Sequence, residues 1–230
     1  HIKTHKMVEI ARKQLAAGAV GITVAKLGEA QVMADAGIDD IFMAYPVVGG
    51  DKIARAVALS RQARRLILSV DSWEGAQALS AGAQAAGVQL EVRLEVDTGY
   101  ERTGVPYDQA AALAARVAAL PGLNLTGIYT FRGSILDGRP TADRDAAGSQ
   151  EGRMMAALAR ELAPLGVREV SGGSTPTALA VAAAPGMTEV RPGTYVFNDR
   201  MQVSLGVCRP GDCALRVVYT VVSVPRPGRL

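Results

Sequence analysis

The 230-residue sequence predicts a (β/α)8 barrel, and three features carry the prediction. Short apolar runs alternate with alanine-rich stretches of helical spacing about seven times, the signature of parallel strands joined by helical crossovers. No Gly-x-Gly-x-x-Gly fingerprint opens any unit, which disfavours a dinucleotide-binding doubly wound sheet. The run Leu90–Asp97 alternates strictly, with Leu90, Val92, Leu94 and Val96 on one face and Glu91, Arg93, Glu95 and Asp97 on the other. A strand of a doubly wound sheet is apolar on both faces, whereas a barrel strand can be polar inside, where it floors an active site.

The elements follow in order. His1, Lys3 and His5 alternate and read as one face of an opening strand. Residues 7–17 read as a helix stopped by Gly18, 19–25 as a buried strand, and 27–36 as a helix stopped by Gly37. Strand 40–45 leads through a Pro-Val-Val-Gly-Gly loop to helix 52–63, then strand Arg65–Val70. Asp71 or Ser72 can cap the helix that runs to about residue 86. After Leu90–Asp97 come helix 107–120, ended by Pro121-Gly122, and strand 123–131. A polar stretch, 132–145, precedes a long helix to about residue 165, and 167–171 and 188–191 are short strands. Residues 215–224 are β-rich with no helix after them. The expected organisation is therefore a barrel domain over 1–206, lacking its first strand–helix unit, and the start of a β-rich C-terminal domain over 207–230. The opening on His1 and the close on an Arg-Pro-Gly-Arg-Leu tail read as the ends of an excised piece.

Composition narrows the function classes. Hydrophobic residues at 49% and charged residues at 20% describe a folded chain with a sizeable core rather than disorder. A net charge of +3 without a basic tract gives no footprint for nucleic acid. No apolar run approaches the ~20 residues of a membrane span. Cys208 and Cys213 sit in Cys-Arg-Pro-Gly-Asp-Cys, which is not the Cys-x-x-Cys of a zinc or redox site, and so few cysteines suggest a reducing, cytoplasmic compartment.

Catalytic residues of a barrel lie at the C-terminal ends of its strands. Two loops there look like phosphate cradles. Gly172-Gly173-Ser174-Thr175 offers open backbone N–H groups, two hydroxyls and a helix start at Thr177, and Gly193-Thr194-Tyr195 offers a second set. Each alone is as well explained as a turn; as a pair, they favour phosphate. Lys3 is the candidate for covalent work, because a lysine inside a barrel loses solvation and with it some of its proton affinity, and a neutral amine can form a Schiff base with an aldehyde. The alternative is a surface lysine. His1 and His5 are either proton carriers beside it or ordinary strand-end residues. Arg102 and Arg191 are either contacts to an anion or ring nitrogen, or surface ion pairs. Glu91 and Glu95 read as members of a barrel-floor network, and Trp73, Met154 and Met155 as packing residues.

The motifs then resemble a known family. His1-Ile2-Lys3-Thr4-His5-Lys6 is similar to the Pro-His-x-Lys-Thr-His-Lys segment of the D-threonine aldolase and D-serine dehydratase family, fold type III enzymes with the barrel of the alanine racemase N-terminal domain. Ala44-Tyr45-Pro46, Asp97-Thr98-Gly99, Arg102-Thr103-Gly104, Gly173-Ser174-Thr175-Pro176-Thr177 and Arg191-Pro192-Gly193-Thr194-Tyr195 look like that family too, in family order. The resemblance implies pyridoxal 5'-phosphate as cofactor. It implies Lys3 as the Schiff-base lysine, and Ser174, Thr175, Gly193 and Thr194 as phosphate contacts. It places Arg102 near the ring hydroxyl, Arg191 near the ring nitrogen and Tyr129 in the pocket wall. It also implies a homodimer, and a divalent metal (Zn or Mn) held by a C-terminal β-domain, with no ligand in this chain. Phe131 and Ser134 depart from the family's Thr-His-x-Gly-His segment, where histidines are usual.

The implied activity is a lyase acting on D-β-hydroxy amino acids, by retro-aldol cleavage or by dehydration. Three other readings compete: an amino-acid racemase on the same barrel, a non-catalytic carrier of pyridoxal phosphate, and a cofactor-free Schiff-base aldolase whose sugar-phosphate substrate would fit the same loops. The strand-like run at 215–224 speaks against the carrier, which has one domain.

Overall fold

The computed structural model describes residues 1–229. Its frame is a curled parallel sheet with helices on the outside. In chain order it runs α1 (Val8–Ala16), β1 (Ile22–Val24), α2 (Leu27–Asp35), β2 (Asp40–Pro46), α3 (Gly50–Gln62), β3 (Arg65–Val70), α4 (Trp73–Ala86) and β4 (Leu90–Asp97). Then follow β5 (Val105–Pro106), α5 (Ala110–Ala118), β6 (Leu123–Tyr129), β7 (Ile135–Leu136), β8 (Arg139–Pro140) and α6 (Arg144–Leu162). The chain continues with β9 (Glu169–Gly172), α7 (Ala178–Ala182), β10 (Glu189–Val190) and α8 (Arg200–Ser204). The strands pair in parallel in the order β1-β2-β3-β4-β6-β9-β10, and β5 adds to the end of β4. Among the described residues no pairing joins β10 back to β1. This is a partial (β/α)8 barrel. The segment around His1 and Ile2 lies between the two sheet ends: the Ile2 N–H donates to Thr23 O at 2.9 Å, and the His1 amine to Pro192 O at 2.9 Å.

Local chemistry explains the best-defined elements. Ser72 caps α4 by accepting the Gly75 N–H, and Gly87 ends it in the left-handed region at φ 64°. Along β4 the apolar face joins the core with Leu79, Ala83, Leu113 and Val117 of the surrounding helices. The charged face turns inward, where Arg93 and Glu95 are buried. At the barrel floor Arg65 pairs with Glu91 and Glu169, while Arg93 bridges Glu169 at 2.8 Å and Glu189 at 2.9 Å. The charges of this floor network are tolerated there because Arg65, Glu91, Arg93, Glu169 and Glu189 are each paired.

Three expectations are corrected. Residues 1–5 are a turn, not a strand: the Ile2 carbonyl accepts the N–H groups of both His5 (3.1 Å) and Lys6 (2.7 Å), which curls the chain and breaks the two-residue period. The polar stretch after β6 holds an antiparallel hairpin, β7–β8, turned at Asp137-Gly138 with φ 49° and 75°. That dipeptide suits a two-residue hairpin loop. Residues 215–224, expected as a strand, carry none. Their apolar side chains are exposed, and among the described residues no neighbouring strand offers them a ladder.

Helix α6 approaches α7 closely through glycines. A Cβ on Gly148 would stand 2.7 Å from Ala180 Cβ and 2.9 Å from Thr177 O. Gly148→Ala is therefore expected to destabilise by about 1–3 kcal/mol through overpacking, despite alanine's better helix propensity. Urea unfolding checks this, and a neutral or stabilised variant would contradict it.

Candidate active site

A cavity of about 580 Å3 opens at the C-terminal ends of the strands. Its wall includes His1, Lys3, Arg102, Tyr129, Ser174, Thr175, Arg191, Gly193 and Thr194. One sequence candidate is elsewhere. His5 is buried with Nε2 against Gln14 Oε1 at 3.3 Å, and its Nδ1 accepts the Met7 N–H at 3.0 Å. Both ring nitrogens are engaged in holding the start of α1, so His5 is placed as a structural residue. The turn at Ile2 is what sends it away from Lys3.

Lys3 stands over the Phe131 ring, its Nζ 5.3 Å from the centroid. Burial lowers its proton affinity below the usual lysine range, and the nearby guanidinium groups of Arg102 and Arg191 lower it further. Arg102 stacks on the other aromatic surfaces, 4.8 Å from the Phe131 centroid and 5.2 Å from that of Tyr100. Phe131 is thus a shared contact of the lysine and of one of the cations that perturb it. The His1 ring accepts the Lys3 backbone N–H through Nδ1 at 3.2 Å, which fixes the start of the turn rather than the amine.

Arg191 is held from two sides. Nη2 donates to Thr130 O at 2.6 Å and Nη1 to Ser171 Oγ at 2.5 Å. Ser171 Oγ donates to Glu189, which is paired with Arg93, so the floor network reaches up to position Arg191. The Tyr129 ring lies 5.1 Å from the Arg191 guanidinium and meets Phe42 edge-on at 4.9 Å. Its hydroxyl pairs with Ser69, and burial raises its pKa well above that of a free tyrosine.

The two glycine-bearing loops converge as their sequences suggest. The Tyr195 N–H donates to Thr175 Oγ1 at 3.1 Å and ties one to the other. A Cβ on Gly193 would stand 3.0 Å from His1 O, so the second loop presses on the Lys3 segment. The donors differ from those expected, however. Gly173 N–H is taken by Glu151 at 2.7 Å, and Ser174 N–H by Thr177 Oγ1 at 3.0 Å. Among the described residues the N–H groups of Thr175, Gly193 and Thr194 have no protein partner, and they are the ones open to an anion. Helix α7 has five residues, so its dipole adds less than the sequence suggested.

Several members of the wall were missed or misread. Glu95, read as part of the floor network, instead lines the cavity. It accepts Thr103 Oγ1 at 2.8 Å on one oxygen, leaves Oε2 without a partner, and is driven toward its neutral form by burial. Gln202 of α8 also lines it with Oε1 unpartnered, and Asp199, which caps α8 by accepting the Gln202 N–H at 2.9 Å, was the signal that could have found it. Ile135, Pro140 and Thr141 bring the β7–β8 hairpin over one side. Among the described residues no group of three or more His, Cys, Asp or Glu side chains is arranged to hold a metal ion, and no helix is long and apolar enough to cross a membrane.

Fold and site together define an α/β-barrel protein with a lysine, two arginines and open backbone N–H groups on the wall of one cavity. The chain belongs to the alanine racemase N-terminal domain family, whose model matches residues 1–201. It is 41% identical over 226 residues to D-threo-3-hydroxyaspartate dehydratase of Delftia sp. strain HT23, covering 96% of this chain and 59% of that protein. It is 36% identical over 235 residues to a D-threonine aldolase of Arthrobacter sp., covering all of this chain and 62% of that protein. The solved structure of the Delftia dehydratase superposes with a TM-score of 0.84 at 38% identity, covering 93% of this chain and 57% of that one. The chain therefore spans about three fifths of these relatives.

Proposed function

We propose that the protein is a pyridoxal-phosphate-dependent lyase acting on D-β-hydroxy amino acids. The observation that carries this reading is the one cavity that joins a partly desolvated lysine amine, two arginines and three backbone N–H groups that have no protein partner among the described residues. The similarity to a D-hydroxyaspartate dehydratase and a D-threonine aldolase supports it.

The residues fit the cofactor. Thr175, Gly193 and Thr194 would hold its phosphate, with Ser174 and Thr175 hydroxyls beside them. When bound, the cofactor supplies an aldehyde for an amine and a ring that draws electrons from the substrate α-carbon. Lys3 is the lysine on the cavity wall that would meet such an aldehyde, and its lowered proton affinity favours the neutral amine relative to an ordinary lysine. Arg191, fixed by Thr130 and Ser171, sets a permanent cation at the cavity floor that disfavours a proton on any ring nitrogen placed against it. Glu95, on the cavity wall with burial favouring its protonated state, can hold a proton inside the cavity. We also take the barrel unit to end near residue 206, where the strand–helix rhythm breaks, and the compartment to be the cytoplasm on the low cysteine count, with a homodimer and a divalent metal taken from the family resemblance.

The test is incubation of the full-length protein and pyridoxal phosphate with D-threonine and D-serine, with and without a divalent metal. Glycine and acetaldehyde from D-threonine, or pyruvate and ammonia from D-serine, are the expected products. Formation of the L-isomer alone would make it a racemase, and binding without turnover a carrier.

A further inference from the structure

Glu151 is not part of the cavity wall, yet it grips one of the loops that forms it. It lies on α6 with no exposed surface. Oε1 accepts the Gly173 N–H at 2.7 Å, and Oε2 is buried with no partner among the described residues. The backbone is shaped around this carboxyl. A Cβ on Gly172 would come within 2.8 Å of Oε1, and Gly148 and Gly152 on the same helix permit the close approach of α6 to α7. Val181 and Met187 are the apolar neighbours at Gly172.

The charged groups that face it are two arginines. Arg191 reaches it from the end of β10 and Arg132 from the loop after β6. Arg191 donates to Thr130 and Ser171, and Arg132 to Gln150 and Met154 Sδ, with Arg132 Nε unpartnered among the described residues. Neither donates to Oε2. Burial pushes the carboxyl up to about 7, against the pull of the Gly173 N–H and the two arginines. Ionised, Glu151 places a negative charge directly behind the loop expected to meet a phosphate. Protonated on Oε2, it keeps the Gly173 hydrogen bond through Oε1 and loses the repulsion.

We propose that Glu151 is a positioning residue of the anion cradle, holding Gly173 by its N–H and taking up a proton when a dianion binds, so that anion affinity falls as pH rises through neutrality. This rests on the reading that the paired loops hold a phosphate. The sign follows from linkage: binding an anion favours the neutral carboxyl, so the proton and the anion bind cooperatively and raising pH opposes both.

Sulfate is the probe, because it stays a dianion from pH 5 to 9 and its own titration cannot imitate the effect. Its affinity for the cofactor-free full-length protein is expected to fall about fivefold or more between pH 6 and pH 8 in the wild type. In Glu151→Gln, which keeps an acceptor for Gly173, the slope should be clearly smaller, with the remainder coming from the titratable side chains of the cavity wall, among them His1, Lys3 and Glu95. Equal slopes in the two proteins would overturn the proposal while leaving the cradle intact, and absence of sulfate binding at every pH would overturn the cradle itself. Should the variant fail to fold, calorimetry of wild-type sulfate binding at pH 7.5 in two buffers of different ionisation enthalpy decides the matter. Uptake of a substantial fraction of a proton supports the proposal, and no uptake overturns it.

Discussion

Replacing Lys3 by alanine is expected to abolish covalent loading with pyridoxal phosphate and to lower turnover by at least ~10³-fold. The argument is that no other side chain in the cavity can replace its nucleophile. Arg102 and Arg191 are poor nucleophiles, and Lys6, the next lysine along, pairs with Glu29 and is not on the cavity wall. Lys3→Arg should be as inactive, since it keeps the charge without a neutral amine. The anion cradle should survive in both variants, because Thr175, Gly193 and Thr194 contribute through their backbone. Sulfate binding within about threefold of wild type, together with loss of the visible cofactor band, is the expected combination. An alanine variant that keeps the band after gel filtration would show that a different residue carries the cofactor.

Arg93→Met should have the largest effect on stability. Arg93 is 1% exposed and stands between Glu169 and Glu189, with its guanidinium 4.6 Å from the Phe42 centroid. Methionine restores most of the volume and none of the charge, so two half-buried carboxylates lose their cation. Removing one partner from such a network costs about 3–5 kcal/mol. In a chain of this size that lowers the melting temperature by roughly 10 °C. Glu189 also helps to hold Ser171, which holds Arg191, so the variant should bind cofactor less tightly even below its melting point. Arg64→Met is the comparison, because Arg64 pairs with Asp39 and Asp40 at the exposed surface and should cost less than about 1 kcal/mol. Similar melting temperatures for the two variants would contradict the account of the floor.

Much of the frame was legible because its signals are local. The bounds of β3, α4 and β4 coincide with the sequence reading, and each is set by a contiguous pattern: an apolar run, a Ser72 cap with a glycine stop, a strict alternation. What failed depends on partners distant in sequence. The alternation His1, Lys3, His5 looks like a strand until the Ile2 carbonyl is seen to collect two N–H groups. Residues 215–224 have strand composition but, among the described residues, no neighbouring strand to pair with. That run was the feature set against a cofactor carrier, and with no strand there the enzymatic reading rests on the relatives and on the cavity.

The site shows the same division. Lys3, Arg102, Arg191 and the two loops could be found from residue type and order, because barrel chemistry gathers at strand ends. Which N–H groups stay open could not, since Gly173 and Ser174 are claimed by Glu151 and Thr177 from other segments. Glu95 shares its face of β4 with Glu91, yet one lines the cavity and the other pairs with Arg65. Their heights along the strand separate them, and alternation alone carries no height.

Borohydride reduction of the full-length protein loaded with pyridoxal phosphate, followed by peptide mapping, addresses the central claim most directly. The account predicts that the visible band is bleached and that one pyridoxyl group is recovered on Lys3. Recovery of the label on another lysine, or a protein that takes up no cofactor, would contradict it.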